Sequence, residues 1–354
     1  MRFNIPAVFL VILSLSGCGD NFSFNPTSPS PISRGSGPEI WIHPNLGSPD
    51  YLRLFTNPEE WQEAKSRITV FQFHHANVLS DTFCHLCGGR PDGGFNSVGE
   101  FIKADAFRGL NNQGIPSSIE AGSVKHHNCH NLAALDYAAR LSIESISIIK
   151  ANGGQVGYLS MDEPFVGGSA IYPDGSGCNY TPDKIAELVK YFIDKINSIH
   201  PEVRVGLIEV YPGYTVEELK NNIEALERVG YKIPFFHVDY DRYAGLREGK
   251  NIQSDMRKLR DYLRSKGIIF GLIIWGEDGT STETWYSDAM AMATRFRDAL
   301  GGDVDRLIIE SWSDHLPSRS GQDYSNNRWY PKNLPETKPG TMTYMVNQMA
   351  FFFR

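Results

Sequence analysis

Acidic and imidazole side chains in this chain fall repeatedly just past short apolar runs. Tyr158-Leu159-Ser160-Met161 leads into Asp162-Glu163-Pro164, and a run ending at Ile274 leads into Trp275-Gly276-Glu277-Asp278. The same placement recurs for His43, His74 and His75, Glu120, Glu209 and Tyr211, for His237, Asp239 and Asp241, and for Glu310 and Trp312. Of the ten histidines, only His200 falls clearly away from such exits and the loops after them. Carboxyls gathered around one site do proton-transfer chemistry when one keeps its proton and another is ionised. A lone acid in such a place is as readily a helix cap or a surface ion pair. A whole ring of acids is not explained that way.

Something must hold these residues together. Short apolar, β-branched runs alternate with amphipathic helical patterns along the chain. In order, the strand candidates are EIWIHPN, ITVFQFHHANV, IPSSIEAG, QVGYLSMDEP, VRVGLIEVYP, IPFFHVDYD, GIIFGLIIWGED and DRLIIESW. Between them the spacing predicts helices opening at Asn57-Pro58-Glu59-Glu60, after Ser97, over 131–150, at Thr181-Pro182-Asp183, and at Thr215. Others run through Met256, Leu259 and Leu263, over 284–300, and from Met342 to Phe353. Ser97 with Glu100, and Thr215 with Glu218, have capping-box spacing.

Eight strand–helix alternations with near-continuous apolar strands predict a parallel (β/α)8 barrel, a TIM barrel, with long loops on its carboxyl-terminal face. The rival, an open doubly wound sheet, would carry a Gly-rich phosphate turn after its first strand, and HPNLGSPD is not one. No cofactor is expected. The chain of 354 residues suits one barrel, and 41% hydrophobic residues suffice for its core. A net charge of −7 offers no basic footprint, so nucleic acid is not an expected partner.

The N-terminus reads as a targeting segment. Arg2, an apolar run over 5–15 and Leu15-Ser16-Gly17-Cys18 resemble a lipoprotein signal peptide spanning 1–17, with Cys18 lipidated. Gly19 after that cysteine, by resemblance to bacterial sorting, implies the outer membrane of the cell envelope. Residues 18–38, rich in Pro, Ser, Gly and Asn, read as a flexible tether. The catalytic domain is expected over 39–354.

From about Glu39 onward the sequence resembles the retaining glycoside hydrolases with a (β/α)8 barrel. Asp162-Glu163-Pro164 matches their strand-four motif, Trp275-Gly276-Glu277 their strand-seven nucleophile, and Trp312 their strand-eight Trp. The resemblance implies a poly- or oligosaccharide substrate, Glu163 as acid/base and Glu277 as nucleophile. From their places at the strand exits, Asp162, His74, His75, Glu209, Tyr211, His237, Asp239, Trp275, Glu310 and Trp312 are expected to contact the sugar. Two positions depart from the pattern: Asp162 replaces an Asn, and His74 and His75 stand where an Arg is usual. Glu209 and Glu310 are rival catalytic carboxyls, because alternation along a strand decides which acids face inward. Trp329 and Tyr286 are further aromatics that could stack on sugar rings. The long segment after Trp312 is expected to fold over the site.

Cys84, Cys87, Cys129 and Cys178 all fall in loops after strands two to four. In an exported protein, two disulfides are one reading, with pairing undetermined. The motifs CHLC and HHNCH also offer zinc-type ligands, namely Cys84, His85, Cys87, His126, His127, Cys129 and His130. Two other functions therefore stand beside the glycosidase: a metal-dependent hydrolase using those loops, and a non-catalytic glycan-binding lipoprotein.

Overall fold

The structure, a computed structural model, describes residues 37–45, 48–79, 98–124, 132–171, 177–277, 279–311 and 330–354. Cys18, Asp278, Trp312, Trp329 and the two Cys/His motifs lie outside those residues. Of the four cysteines considered for pairing, Cys178 is described, and it is buried.

Eight parallel strands close into a barrel in sequence order. They are β1 (Glu39–His43), β2 (Val70–His74), β3 (Ser117–Gly122), β4 (Val156–Asp162), β5 (Arg204–Tyr211), β6 (Phe235–Tyr240), β7 (Ile269–Ile274) and β8 (Arg306–Glu310). The expected (β/α)8 barrel is thus the observed fold. Its helices are α1 (Arg53–Thr56), α2 (Gln62–Arg67), α3 (Val98–Lys103), α4 (Ala106–Asn111), α5 (Leu132–Ala151) and α6 (Pro164–Ser169). They continue with α7 (Pro182–Ile199), α8 (Val216–Arg228), α9 (Arg242–Arg247), α10 (Ile252–Ser265), α11 (Thr282–Leu300) and α12 (Met342–Phe352). Among the described residues, no helix is long and apolar enough to cross a membrane.

Local chemistry explains the helix boundaries. Thr181 and Thr215 accept amides from Lys184 and Glu218 at the starts of α7 and α8, and Glu218 returns the bond as the capping box requires. The helix expected after Ser97 is broken in two, because Asp105 takes a left-handed backbone (φ 51°) between α3 and α4. Helices α1, α6 and α9 were not expected, since four to six residues carry no readable period.

The amino-terminal end of the barrel is plugged by a buried cation. The Arg306 guanidinium sits 4.0 Å from the centroid of the Trp41 ring and 5.2 Å from that of Phe235. It donates to Glu39 at 2.7 Å and to His237 Nε2 at 3.2 Å. Two strand glycines make room for this filling. A Cβ on Gly206 would lie 2.5 Å from the Phe235 ring, and one on Gly271 would lie 2.5 Å from the His237 ring. Above the plug the interior turns polar.

Candidate active site at the carboxyl ends of the strands

The deepest layer is a hydrogen-bonded cluster drawn from neighbouring strands. Pairing of β8 with β1 sets Glu310 opposite His43, and pairing of β2 with β3 sets His74 opposite Glu120. His43 Nδ1 lies 2.5 Å from Glu310 Oε1 and 3.3 Å from Glu120 Oε2. Gln72 donates to Glu120 at 3.1 Å, while its own carbonyl accepts from Ser118 at 3.1 Å and Ser160 at 3.0 Å. Those hydroxyls fix which way the Gln72 amide faces. Burial pushes the Glu120 carboxyl well up, and the nearby Glu310 charge adds to it. Burial likewise raises Glu310, with Asp239 and Asp162 contributing. The ring of His74 lies nearly parallel to those of His43 and His75, with centroids 6.5 and 4.5 Å away.

The second layer lies at the exits of β4 and β6. Glu163 adopts a left-handed backbone (φ 44°) at the N-cap position of α6 without a side-chain capping bond, a conformation that costs a non-glycine residue about 1–3 kcal/mol and recurs at functional sites. Its amide donates to the carbonyl of Ile208 on β5 at 3.0 Å. Burial pushes Asp239 well up, followed by the charges of Glu163 and Asp162; the Trp275 indole opposes this. Glu163, Asp162 and Asp239 therefore form one electrostatic group, which continues down to Glu120 and Glu310.

Glu277 follows β7 at the same end of the barrel, where the Asp241 charge acts on it. Its Oε1 accepts from the amides of Arg242 at 2.6 Å and Tyr243 at 3.4 Å, so it holds the start of α9. Burial pushes its carboxyl up to about 7 against the pull of the Arg242 amide. The backbone reaches this point through a tight pass: a Cβ on Gly276 would lie 2.1 Å from the Trp285 carbonyl oxygen of α11. Only a glycine fits there.

The structure brings His43, His74, Glu120, Asp162, Glu163, Asp239, Trp275, Glu277 and Glu310 to this end of the barrel. Others go elsewhere. Glu209 and Tyr211 share the outward face of β5, where Glu209 accepts from the amides of Phe165 (2.7 Å) and Val166 (3.4 Å) on α6, and the Tyr211 hydroxyl bonds Asp255 on α10. His237 faces inward but lies below the site, against Arg306, and burial lowers its affinity for a proton. Asp241 caps α9 through the Ala244 amide at 2.8 Å. Tyr286 packs on Tyr344 between α11 and α12, with ring centroids 5.6 Å apart. Gln72, Ser118 and Ser160 were not foreseen. Their signal was a polar residue every second position inside β2, β3 and β4.

No protein-family model matches this chain, and no curated protein matches it in sequence. Solved structures match in shape. A GH5_18 protein from Streptomyces cattleya, solved in complex with GlcNAc, aligns at TM-score 0.54 and 10% identity, covering 90% of this chain and 80% of its own. A modular endo-β-1,4-mannanase of glycoside hydrolase family 26 from Cellulomonas fimi aligns at TM-score 0.53 and 12% identity, covering 90% and 71%. A putative sugar phosphate isomerase/epimerase from Anabaena variabilis aligns at TM-score 0.51 and 11% identity, covering 89% and 97%. At these identities the likeness is one of fold, a barrel that glycoside hydrolases and other sugar-acting enzymes share.

Proposed function

We propose that this protein is a glycoside hydrolase acting on a poly- or oligosaccharide by retention. The observation that carries the reading is the pair of strand-exit glutamates: Glu163 on a strained turn after β4, and Glu277 after β7 with a carboxyl pushed up to about 7. Cleavage needs one carboxyl that delivers a proton and one that attacks. In this reading Glu277, once ionised, forms a bond to the anomeric carbon as the glycosidic C–O bond breaks. Glu163 gives its proton to the departing oxygen. Glu163 then takes a proton from water, which displaces Glu277 and restores both groups. Asp162, His74, His75 and Trp275 supply sugar contacts. The signal-like leader and Cys18 extend the reading to a lipid-anchored protein of the cell envelope.

The test is incubation of the purified protein with a panel of bacterial and plant polysaccharides. New oligosaccharides are sought by mass spectrometry, and the first-formed anomer is read by NMR. Products with retained configuration, lost in both Glu163→Gln and Glu277→Gln, are expected. Substantial turnover in both variants would refute the assignment. Glycan binding with no product would instead select a non-catalytic role.

A further inference from the structure

We propose that His43, Glu120 and Glu310 form a divalent-cation site at the floor of the carboxyl-terminal face, taking a first-row transition ion through one imidazole nitrogen and two carboxylate oxygens. This proposal does not rest on the glycosidase reading. The three ligand atoms lie within 4.8 Å of one another, and all three residues are buried. They come from β1, β3 and β8, so the barrel wall itself sets their positions.

Asp50, Glu209 and Glu277 are held differently. Asp50 accepts from Ser48, from the Asn333 side chain, and from the amides of Asn333 and Leu334. Glu209 and Glu277 each accept two backbone amides. Among the described residues, Glu120 and Glu310 receive no backbone amide. Their side-chain partners are His43, Gln72 and one another, and Asp162 and Asp239 add further negative charge nearby. Glu310 Oε2 has no hydrogen-bond donor among the described residues. Two carboxylates out of water need positive charge at close range. The point on which His43 Nδ1, Glu310 Oε1 and Glu120 Oε2 converge is where that charge sits: a proton when no metal is bound, or a cation that displaces it.

The two separations from His43 Nδ1 suit an ion, and the two carboxylate oxygens lie within 4.8 Å of each other. Ligands about 2.0–2.2 Å from one metal lie about 3 Å apart, so the 3.3 Å gap needs no change and the 2.5 Å gap opens by about half an ångström. Gln72, held by Ser118 and Ser160, orients Glu120 as an outer-shell partner does. The imidazole in the set favours Zn2+ over Mg2+ or Ca2+, and the two carboxylates also admit Mn2+.

The full-length protein, stripped with a chelator, would be titrated calorimetrically with ZnCl2, MnCl2 and MgCl2 in two buffers of different ionisation enthalpy. Expected are one tight equivalent of Zn2+ or Mn2+ with proton release, and affinity reduced at least about tenfold in Glu310→Gln and Glu120→Gln. Cobalt provides a readout on the unmutated chain. A d–d spectrum without a thiolate charge-transfer band supports the site. A thiolate band would move the metal to the cysteine loops and overturn it. Absence of Zn2+ and Mn2+ binding, or binding unchanged in both variants, would also overturn it.

Discussion

Replacing Glu277 with Gln should stabilise the protein at pH 8 and leave it nearly unchanged at pH 5. Gln keeps an oxygen to accept the Arg242 and Tyr243 amides but never acquires charge. In the folded protein the Glu277 carboxyl holds its proton up to about 7 rather than 4.5, chiefly because it is buried. Its contribution is therefore fully present below pH 4.5 and lost as pH rises through 7. A displacement from 4.5 to about 7 corresponds to about 3 kcal/mol at 1.36 kcal/mol per pH unit. The side chain is only part-buried, and solvent screening reduces the expected effect to about 1–2 kcal/mol. Urea unfolding at both pH values measures it as a shift in midpoint at constant slope. An equal shift at pH 5 and pH 8, or a lower midpoint for the variant at pH 8, would refute the burial argument.

If Glu277 is the nucleophile, it must be ionised before it attacks, so kcat/KM should rise with pH through about 7; a fall through that range would assign it the proton-donor role instead. Glu209→Ala removes the acceptor for two α6 amides and should cost about 1–2 kcal/mol, while also lowering turnover because Glu163 stands at the N-cap position of the same helix; turnover equal to wild type would separate α6 from catalysis. Glu39→Ala leaves the buried Arg306 guanidinium without its carboxylate and should cost about 3 kcal/mol in denaturant unfolding, and a loss below about 1 kcal/mol would show that the aromatic rings alone hold the cation.

The barrel was legible because its strands are buried on both sides. Apolar runs such as Ile269–Ile274 and Leu307-Ile308-Ile309 stand out against amphipathic partners such as α7, which buries Ile185, Leu188, Val189, Phe192 and Ile196 on one side. The strand exits were legible too, since an apolar run ending in acids marks the point where the core gives way to a site. Which exit acids face inward was not. Asp162 is paired with Ile208 on β5, so the next residue, Glu209, faces outward, and an error of one position reverses both. The depth of His237 was equally hidden, because its distance from the plug depends on barrel stagger rather than on its own sequence neighbourhood.

The short helices carry the weakest sequence signal, and they are where the site is most finely set. Glu209 on β5 holds α6, which follows β4, and Glu277 after β7 holds α9, which follows β6. Each acid thus steadies the loop of the strand before it, an arrangement visible only once neighbouring strands are paired. For Glu277 this tie favours the ionised form that the proposed attack uses, and burial opposes it. Amide donors and the Arg242 charge favour the ionised carboxylate, whereas burial favours the neutral acid, and burial wins by enough to bring the group to about 7. A carboxyl left at that balance can change its protonation near neutral pH. With Oε1 taken by the α9 amides, that exchange falls to Oε2, which has no hydrogen-bond partner among the described residues.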